Sequence, residues 1–447
     1  MTYQDVTTFV DDHMEQSTQD LIDLVSIPSV SADSFDQAHL QESARWIAQR
    51  AEALGLDTQI IELTTPDGKK GRPAVLATRQ PAPGKPTVML YAHHDVQPPG
   101  DSDLWDSAPF EAVERDGRLF GRGTADDKAG VIAHLAAIAA ARPGVGITLF
   151  IEGEEEIGSP TFVDFLQAHK AELEADVIVV ADSSNWQVGS PALTTSLRGV
   201  TQVTVTVSGL DHALHSGMYG GPVLDSVTLA SRLIATLHDE RGNVAVEGLL
   251  SRDDTVVDYS EEQFRKDAGV LEGVELAGQG SITSRMWTKP AISVTAMDVT
   301  PVELVSNTLI PSTTFVLSLR VAPGQDAGDA ADKLVAHLKA NAPFGAQVDV
   351  TIDERGPSFE AGEPTESFKL MQWALEQAWG TPSVDIGVGG SIPFIADLSE
   401  VFPQAQILVT GIEDPDTRAH SENESLHLGD WRNAIVAEAL LLTRLGE

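Results

Sequence analysis

The chain has 447 residues, too many for a single hydrophobic core, so two domains are expected. Its 67 Asp and Glu against 29 Lys and Arg give a net charge of −38, which argues against nucleic acid or an anionic membrane surface as partner. There is no cysteine, so no disulfide framework is possible and any metal site must be built from His, Asp and Glu.

The first segment, MTYQDVTTFVDDHMEQ, is acidic and lacks the basic-then-apolar pattern of a secretion signal. No apolar run approaches the ~20 residues of a membrane span. A cytoplasmic location is expected. Helical spacing of apolar residues marks 15–26 and 36–54. Strands then alternate with helices: a strand at 87–92 (TVMLYA), an Ala-rich helix at 128–141, a strand at 147–151, a helix at 160–169 and a strand at 176–181 (DVIVVA). That alternation predicts an α/β domain with a mixed, mostly parallel sheet and helices on its faces.

Near Gly199 the pattern changes. Val203, Val205 and Val207 alternate with Thr204 and Thr206, which marks a strand with one wet face. A helix at 222–238, strands at 292–299 and 315–321, a helix at 326–340 and a strand at 347–352 complete the order β-α-β-β-α-β of a ferredoxin-like α+β sandwich. The polar stretch 243–289 reads as an insertion in it. The first pattern returns after Pro357, with a helix at 366–379, a strand at 406–410 and a closing helix at 430–445. The expectation is a discontinuous domain of 1–197 and 357–447, interrupted by a smaller domain at 198–356.

In open α/β sheets ligands bind beyond the carboxyl ends of the strands. His93-His94-Asp95 follows the first strand, Glu152-Gly153-Glu154-Glu155-Glu156 the second, Asp182 the third, and His420 lies in the loop after 406–410. Each is a candidate ligand for a hard or borderline metal. Strand alternation turns His93 and Asp95 the same way and His94 the other, which favours His93 over His94. Asp95 could orient His93 or another neighbour. In GRGTADDK, glycines allow a tight turn before a helix, and Asp126 or Asp127 could simply cap it. Taken alone, Glu155 and Glu156 could be a solvated acidic turn; as a pair, one could bind metal while the other moves protons.

The set resembles the co-catalytic metallopeptidases that include carnosinase, non-specific cytosolic dipeptidase, aminoacylase, carboxypeptidase G and succinyl-diaminopimelate desuccinylase. The segments that carry it are YAHHDVQP (91–98), GRGTADDK (121–128), EGEEEIGS (152–159), ADSSNW (181–186), LHSGMYGG (214–221), LSLRVAP (317–323), GGSIPF (389–394) and AHSENESL (419–426), in family order. The dipeptidase and carnosinase branch fits best, through HHDVQP, HSGMYGG and GGSIPF. One departure is Ala129, where a Gly commonly follows the Lys.

The resemblance implies two divalent ions per subunit, Zn2+ first, with Mn2+ or Co2+ as alternatives. His93 and Asp182 would hold one ion, Glu156 and His420 the other, and Asp126 both. Asp95 would stand behind them and Glu155 would be the general base. The peptide bond after the bridging Asp is often cis in such proteins. Three carboxylates and a bridging hydroxide balance two divalent ions, which leaves Glu154 to water. The inserted domain would recognise a small peptide through His215, Asn307 and Arg320, with Gly390 and Ser391 contributing from the larger domain. A homodimer would form through the insert and bring His215 across from the other subunit. The implied activity is hydrolysis of dipeptides or short peptides with a free C-terminal carboxylate, by a hydroxide held between the ions. Deacylation of N-acyl amino acids and desuccinylation share that chemistry, and a catalytically silent binding protein of the same fold is the non-enzyme alternative.

Overall fold

The computed structural model describes residues 3–141, 144–390 and 392–447. The chain divides into two compact units. Met1–Thr194, Ala361–Asp385 and Asp397–Glu447 form the first, and Thr195–Glu360 with Ile386–Ala396 the second.

The centre of the first unit is a parallel run of strands, Gly146–Glu152, Thr87–His93, Val177–Ser184 and Gln406–Glu413, side by side in that order. Antiparallel strands flank it. Ala74–Arg79 pairs with Gly146–Glu152, Asp57–Ile61 pairs with Ala74–Arg79, and Val409 and Thr410 pair with Thr194 and Leu193. Side chains alternate between the two faces. Val88, Leu90, Ile147, Leu149, Ile151, Val177 and Val179 join the core cluster that also takes in the buried faces of Tyr3–Val25, Lys128–Ala140, Glu366–Trp379 and Leu428–Leu445. Each fully buried Leu or Ile there contributes about 1.5–3 kcal/mol. On the other face Tyr91 and Phe150 meet Phe162 of the helix Phe162–Ala168 with ring centroids 6.0 and 5.9 Å away.

Helix Lys128–Ala140 is buried almost all round, as its Ala-rich sequence requires of a helix sandwiched between a sheet and other helices. Ala129 lies fully inside the core, and its carbonyl accepts from Nε1 of Trp431 at 3.0 Å. Tyr3–Val25 begins well before the expected 15–26, because Val6 and Val10 anchor its first turns while a polar stretch hides the periodicity between them and Leu21. Among the strands that went unforeseen, Asp57–Ile61 is an edge without clean alternation, and Ala74–Arg79 is too short and mixed to stand out.

The second unit has the expected β-α-β-β-α-β order. Gly199–Ser208, Ser226–Ala235, Ala291–Met297, Ser312–Val321, Ala327–Ala340 and Gln347–Gly356 follow one another, and their strands form one antiparallel sheet. Val203, Val205, Val207, Phe315, Leu317 and Leu319 turn the buried face of that sheet toward Leu229, Leu233, Leu334 and Leu338 of its two helices. Gly390 groups with this unit rather than with the larger domain: Arg198 donates its backbone N–H to Val388 O at 3.2 Å and its Nε to Gly389 O at 2.9 Å. Ser391 lies outside the described residues. Among the described residues no helix is long and apolar enough to cross a membrane.

One buried ion pair ties the first unit together. His134 Nδ1 lies 2.9 Å from both carboxylate oxygens of Glu438, and its Nε2 lies 2.9 Å from Tyr91 O, so two helices and a central strand meet at one imidazole. Burial disfavours charge on His134, but the Glu438 charge and hydrogen bond and the Tyr91 carbonyl raise it above its ordinary value. Glu438→Ala leaves a buried cation without its partner and is expected to cost about 3–5 kcal/mol in urea unfolding near neutral pH. A group raised on folding stabilises fully below its unfolded pKa, near 6.5, and progressively less as pH climbs through the folded value. The gap between wild type and variant should therefore narrow toward alkaline pH. Equal unfolding midpoints at neutral pH would contradict a charged pair.

Candidate metal centre

Every parallel strand of the first unit delivers an acid or an imidazole near its carboxyl end. His93 is the last residue of its strand, Asp182 lies two residues before the end of its own, and Glu155 and Glu156 open a short turn after Glu152. His420 lies in the loop after Gln406–Glu413. Asp126 precedes the helix Lys128–Ala140 and is joined to Asp127 by a cis peptide bond. Gly121 and Gly123 lead into that turn; Gly123 takes φ 81°, a region L side chains avoid.

These side chains converge. His93, Asp126 and Asp182 each offer a ligand atom within 4.8 Å of the others, and so do Asp126, Glu156 and His420. Asp126 belongs to both groups, one oxygen to each: Oδ1 lies 3.1 Å from His93 Nε2, and Oδ2 lies 2.9 Å from His420 Nε2. His420 Nε2 also lies 3.2 Å from Glu156 Oε2. His94 points elsewhere, with its Nε2 2.8 Å from Pro73 O, and burial pushes it down to about 4. The two aspartates of ADDK divide their work. Asp126 faces the cluster, while Asp127 caps the helix by accepting from Gly130 N at 3.2 Å and also accepts from His93 N at 3.2 Å.

Asp95 serves both neighbours. Its oxygens accept the backbone N–H groups of Glu155 at 3.2 Å and Glu156 at 3.0 Å, and Oδ1 lies 3.5 Å from His93 Nδ1. The stronger contact of His93 Nδ1 is to the Asp95 carbonyl, at 3.0 Å. Glu156 is held by Gln97, whose N–H reaches Oε1 at 3.0 Å and whose Nε2 reaches Oε2 at 2.8 Å. Glu154 is not left to water. It is buried, its Oε2 accepts from Arg72 N at 2.9 Å, and its Oε1 accepts from Thr161 N and Oγ1 at 2.7 and 2.6 Å. Glycine at 153 and the turn that follows fold this carboxylate back under the sheet, where backbone donors replace solvent.

The electrostatics are those of too many acids in too little space. Burial pushes Asp182 up to about 7, with Asp126 and Glu156 adding to it. Burial also raises Glu155 and Glu156, with Asp126 as a further repulsive neighbour of each. Burial opposes charge on His93, yet hydrogen bonds to Asp126 and Asp95 hold it protonated well above the usual imidazole range. Hydrogen bonds to Asp126 and Glu156 push His420 up to about 11, although its side chain is 58% exposed. Burial works against charge on Asp126 as well, but His420 and His93 hold its carboxyl below the usual range. Protons on the imidazoles thus stand where cations would. Two imidazoles and three carboxylates, with no thiol, are a donor set that suits zinc, manganese or cobalt.

Three further residues escaped the sequence reading. Gln97 lies in the quoted HHDVQP, and its fixed spacing from Asp95 was the available signal. Glu424 lies in AHSENESL and reaches the Asp126 turn. Glu413 closes the strand Gln406–Glu413; burial and the nearby charges of Asp126 and Asp182 raise it well above its ordinary value. No local pattern singles it out.

Of the expected substrate residues, His215, Asn307, Arg320 and Gly390 lie in the second unit. His215 pairs with Thr308 across a two-residue ladder, and Ser216 N donates to Asn307 O at 2.9 Å, so His215 and Asn307 are neighbours. His215 is exposed, and its Nδ1 accepts from Gly217 N at 3.1 Å. Arg320 sits on Ser312–Val321 between Ala291 and Val200. Its charge and, more strongly, burial bring Arg198 down to about 10, which places two guanidinium groups in one neighbourhood.

Residues 89–444 match the family described as Peptidase family M20/M25/M40. A cysteinylglycine-S-conjugate dipeptidase of Corynebacterium striatum is 34% identical over 442 residues, spanning 97% of this chain and 96% of that protein. The β-Ala-His dipeptidase of Homo sapiens is 26% identical over 94% of this chain and 88% of its own length. Human carnosine dipeptidase 1 shares the fold with a TM-score of 0.79 at 22% identity, covering 100% of this chain and 99% of that one. The dipeptidase Dug1p of Saccharomyces cerevisiae does so with a TM-score of 0.78 at 20% identity, over 100% and 98%. Motif order, strand-end cluster and family match agree: the chain belongs to peptidase family M20/M25/M40.

Proposed function

We propose that the chain is a metallodipeptidase that hydrolyses the peptide bond of dipeptides or short peptides bearing a free C-terminal carboxylate. The observation that carries this reading is the shared carboxylate of Asp126, one oxygen turned to each of two ligand groups. His93 and Asp182 would hold one divalent ion, Glu156 and His420 the other, and Asp126 both, with Zn2+ the first choice. The ions would supply Lewis acidity toward a carbonyl and lower the pKa of water.

The chain's own residues do the rest. Glu155 stands beside the cluster with its backbone N–H fixed by Asp95. Burial raises the proton affinity of its carboxylate, which suits a group that takes a proton from attacking water and passes it to the leaving amine. Asp95 orients His93, Glu155 and Glu156 together and acts through them. Substrate recognition is assigned to the second unit. Arg320 would pair with the terminal carboxylate, for which its planar fork is matched, and His215 would stabilise the developing oxyanion, from the partner subunit of a homodimer. Asn307, Gly390 and Ser391 complete the proposed contacts. The relatives named for Cys-Gly and β-Ala-His dipeptides support this substrate class.

Glu155→Gln and Glu155→Ala are expected to bind Zn2+ as the wild type does while losing about 10²–10⁴-fold in turnover. The assay is a panel of Cys-Gly, Ala-Gly, carnosine, N-acetyl amino acids and succinyl-diaminopimelate. Dipeptides should be cleaved fastest; preference for an acylated amino acid would move the assignment to deacylation, and an active Ala variant would remove Glu155 from the chemistry. Mixing His215→Ala with Glu155→Ala protomers should restore part of the activity, and none would be restored if His215 served its own subunit.

Ion uptake should also release protons. His93 and His420 are both raised above the ordinary imidazole value, so near pH 7 the ion-free cluster carries protons that an incoming cation must expel. Apparent Zn2+ affinity should therefore climb with pH through neutrality and keep climbing toward the raised His420 value of about 11. Calorimetry in two buffers of different ionisation heat measures the release directly. Binding without released protons would contradict this electrostatic picture.

A further inference from the structure

The two ligand groups are not held alike. His93 and Asp182 stand on neighbouring parallel strands, whose register runs from Val88 opposite Val177 to Tyr91 opposite Val180. That ladder ends two residues before each of them, and His93 pairs further with Glu152 on its other side. His420 has no such support. It sits in a loop at φ 61°, and Arg418 and Asn423 beside it take φ 59° and 61°, so three non-glycine residues hold the left-handed conformation. L residues resist that region, and a loop keeps it only where its surroundings enforce it.

The enforcing contacts come from Glu424. Its carboxylate is fully buried. Oε1 accepts the backbone N–H groups of Ala125 at 3.0 Å and Asp126 at 3.2 Å, and Oε2 takes Arg122 Nη1 at 2.6 Å. Its own carbonyl accepts from Gly121 N at 3.0 Å. The next residue, Ser425, opens a short strand whose partner is Phe120 at the near end of the same turn. One side chain four positions after His420 therefore grips the turn that presents Asp126. Asn423 adds a second tie on the outer side: its Oδ1 accepts from Asp106 N at 2.9 Å and its Nδ2 donates to Leu104 O at 3.0 Å.

We propose that Glu424 is a positioning residue that locks the His420 loop to the Asp126 turn, so that the ion site of Asp126, Glu156 and His420 reaches full affinity only while this carboxylate is in place. The inference rests on the two-ion reading above. Glutamine at 424 keeps the shape but offers one acceptor oxygen where two are used, and its NH2 would face either two N–H donors or a guanidinium. Glu156 keeps its own supports in Gln97 and Asp95; the ion of His93 and Asp182 shares the loosened Asp126 turn but keeps two ligands borne on strands, whereas the other ion loses the setting of both Asp126 and His420. The loss should thus be unequal.

The test is Zn2+ binding to ion-free protein in competition with a chromophoric chelator, read as two separate affinities. Wild type is expected to take up two ions per chain. Glu424→Gln should weaken one of them by ~10–100-fold, the range found for residues that orient metal ligands, and leave the other within a few-fold. Asn423→Gly preserves the left-handed backbone and removes only the outer ties, so it should fold normally and weaken the same ion to a smaller extent. Uniform weakening of both ions in Glu424→Gln would mark a merely structural role and overturn the proposal. Two unchanged affinities in both variants would overturn it as well. A wild-type protein that takes up no Zn2+ would overturn the two-ion reading itself, whatever the variants do.

Discussion

The constraint on which the structure turns is the repulsion among buried carboxylates around Asp126. Asp126, Glu156 and Asp182 approach one another at the end of a sheet where water cannot disperse their charge. Like charges so placed destabilise the fold unless positive charge lies between them. His93 and His420 supply it in protonated form, each on a different oxygen of Asp126. Divalent cations would supply more, in the same two places. An arrangement that is costly empty and favourable filled is the mark of a binding site rather than of a structural ion-pair network.

The fold exists to hold that arrangement. Parallel strands bring His93 and Asp182 to one edge, two residues beyond the ladder that joins them. The helix Lys128–Ala140 starts where the chain turns back, and Asp127 spends its side chain on that start, leaving Asp126 free to face the cluster. Asp95, Gln97 and Glu424 then fix the backbones and carboxylates that strands alone leave loose. Behind them the His134–Glu438 pair and the apolar layer of helices keep the sheet from shifting. The site's geometry therefore depends on backbone amides gripped by buried carboxylates, as much as on the ligands.

What could be read from residue order was whatever depends on local periodicity and strand ends. Alternation separated His93 from His94, and the structure turns only His93 toward the cluster. The change of pattern at Gly199 announced the second fold, because one wet sheet face leaves a clean valine–threonine alternation in Gly199–Ser208. What escaped depends on contacts between distant segments. Glu154 looks like its neighbours, and only the return of Arg72 and Thr161 to its side buries it. Glu424 and Gln97 lie inside quoted motifs, but their partners are far off in sequence or are backbone atoms, and neither leaves a period. Edge strands such as Asp57–Ile61 bury too little to show alternation.

The most direct measurement is diffraction from crystals grown with Zn2+, recorded on both sides of the zinc absorption edge. Two anomalous peaks per chain are expected, one among His93, Asp126 and Asp182 and one among Asp126, Glu156 and His420. A chain with no peak at either position, or with zinc bound only elsewhere, would contradict the account.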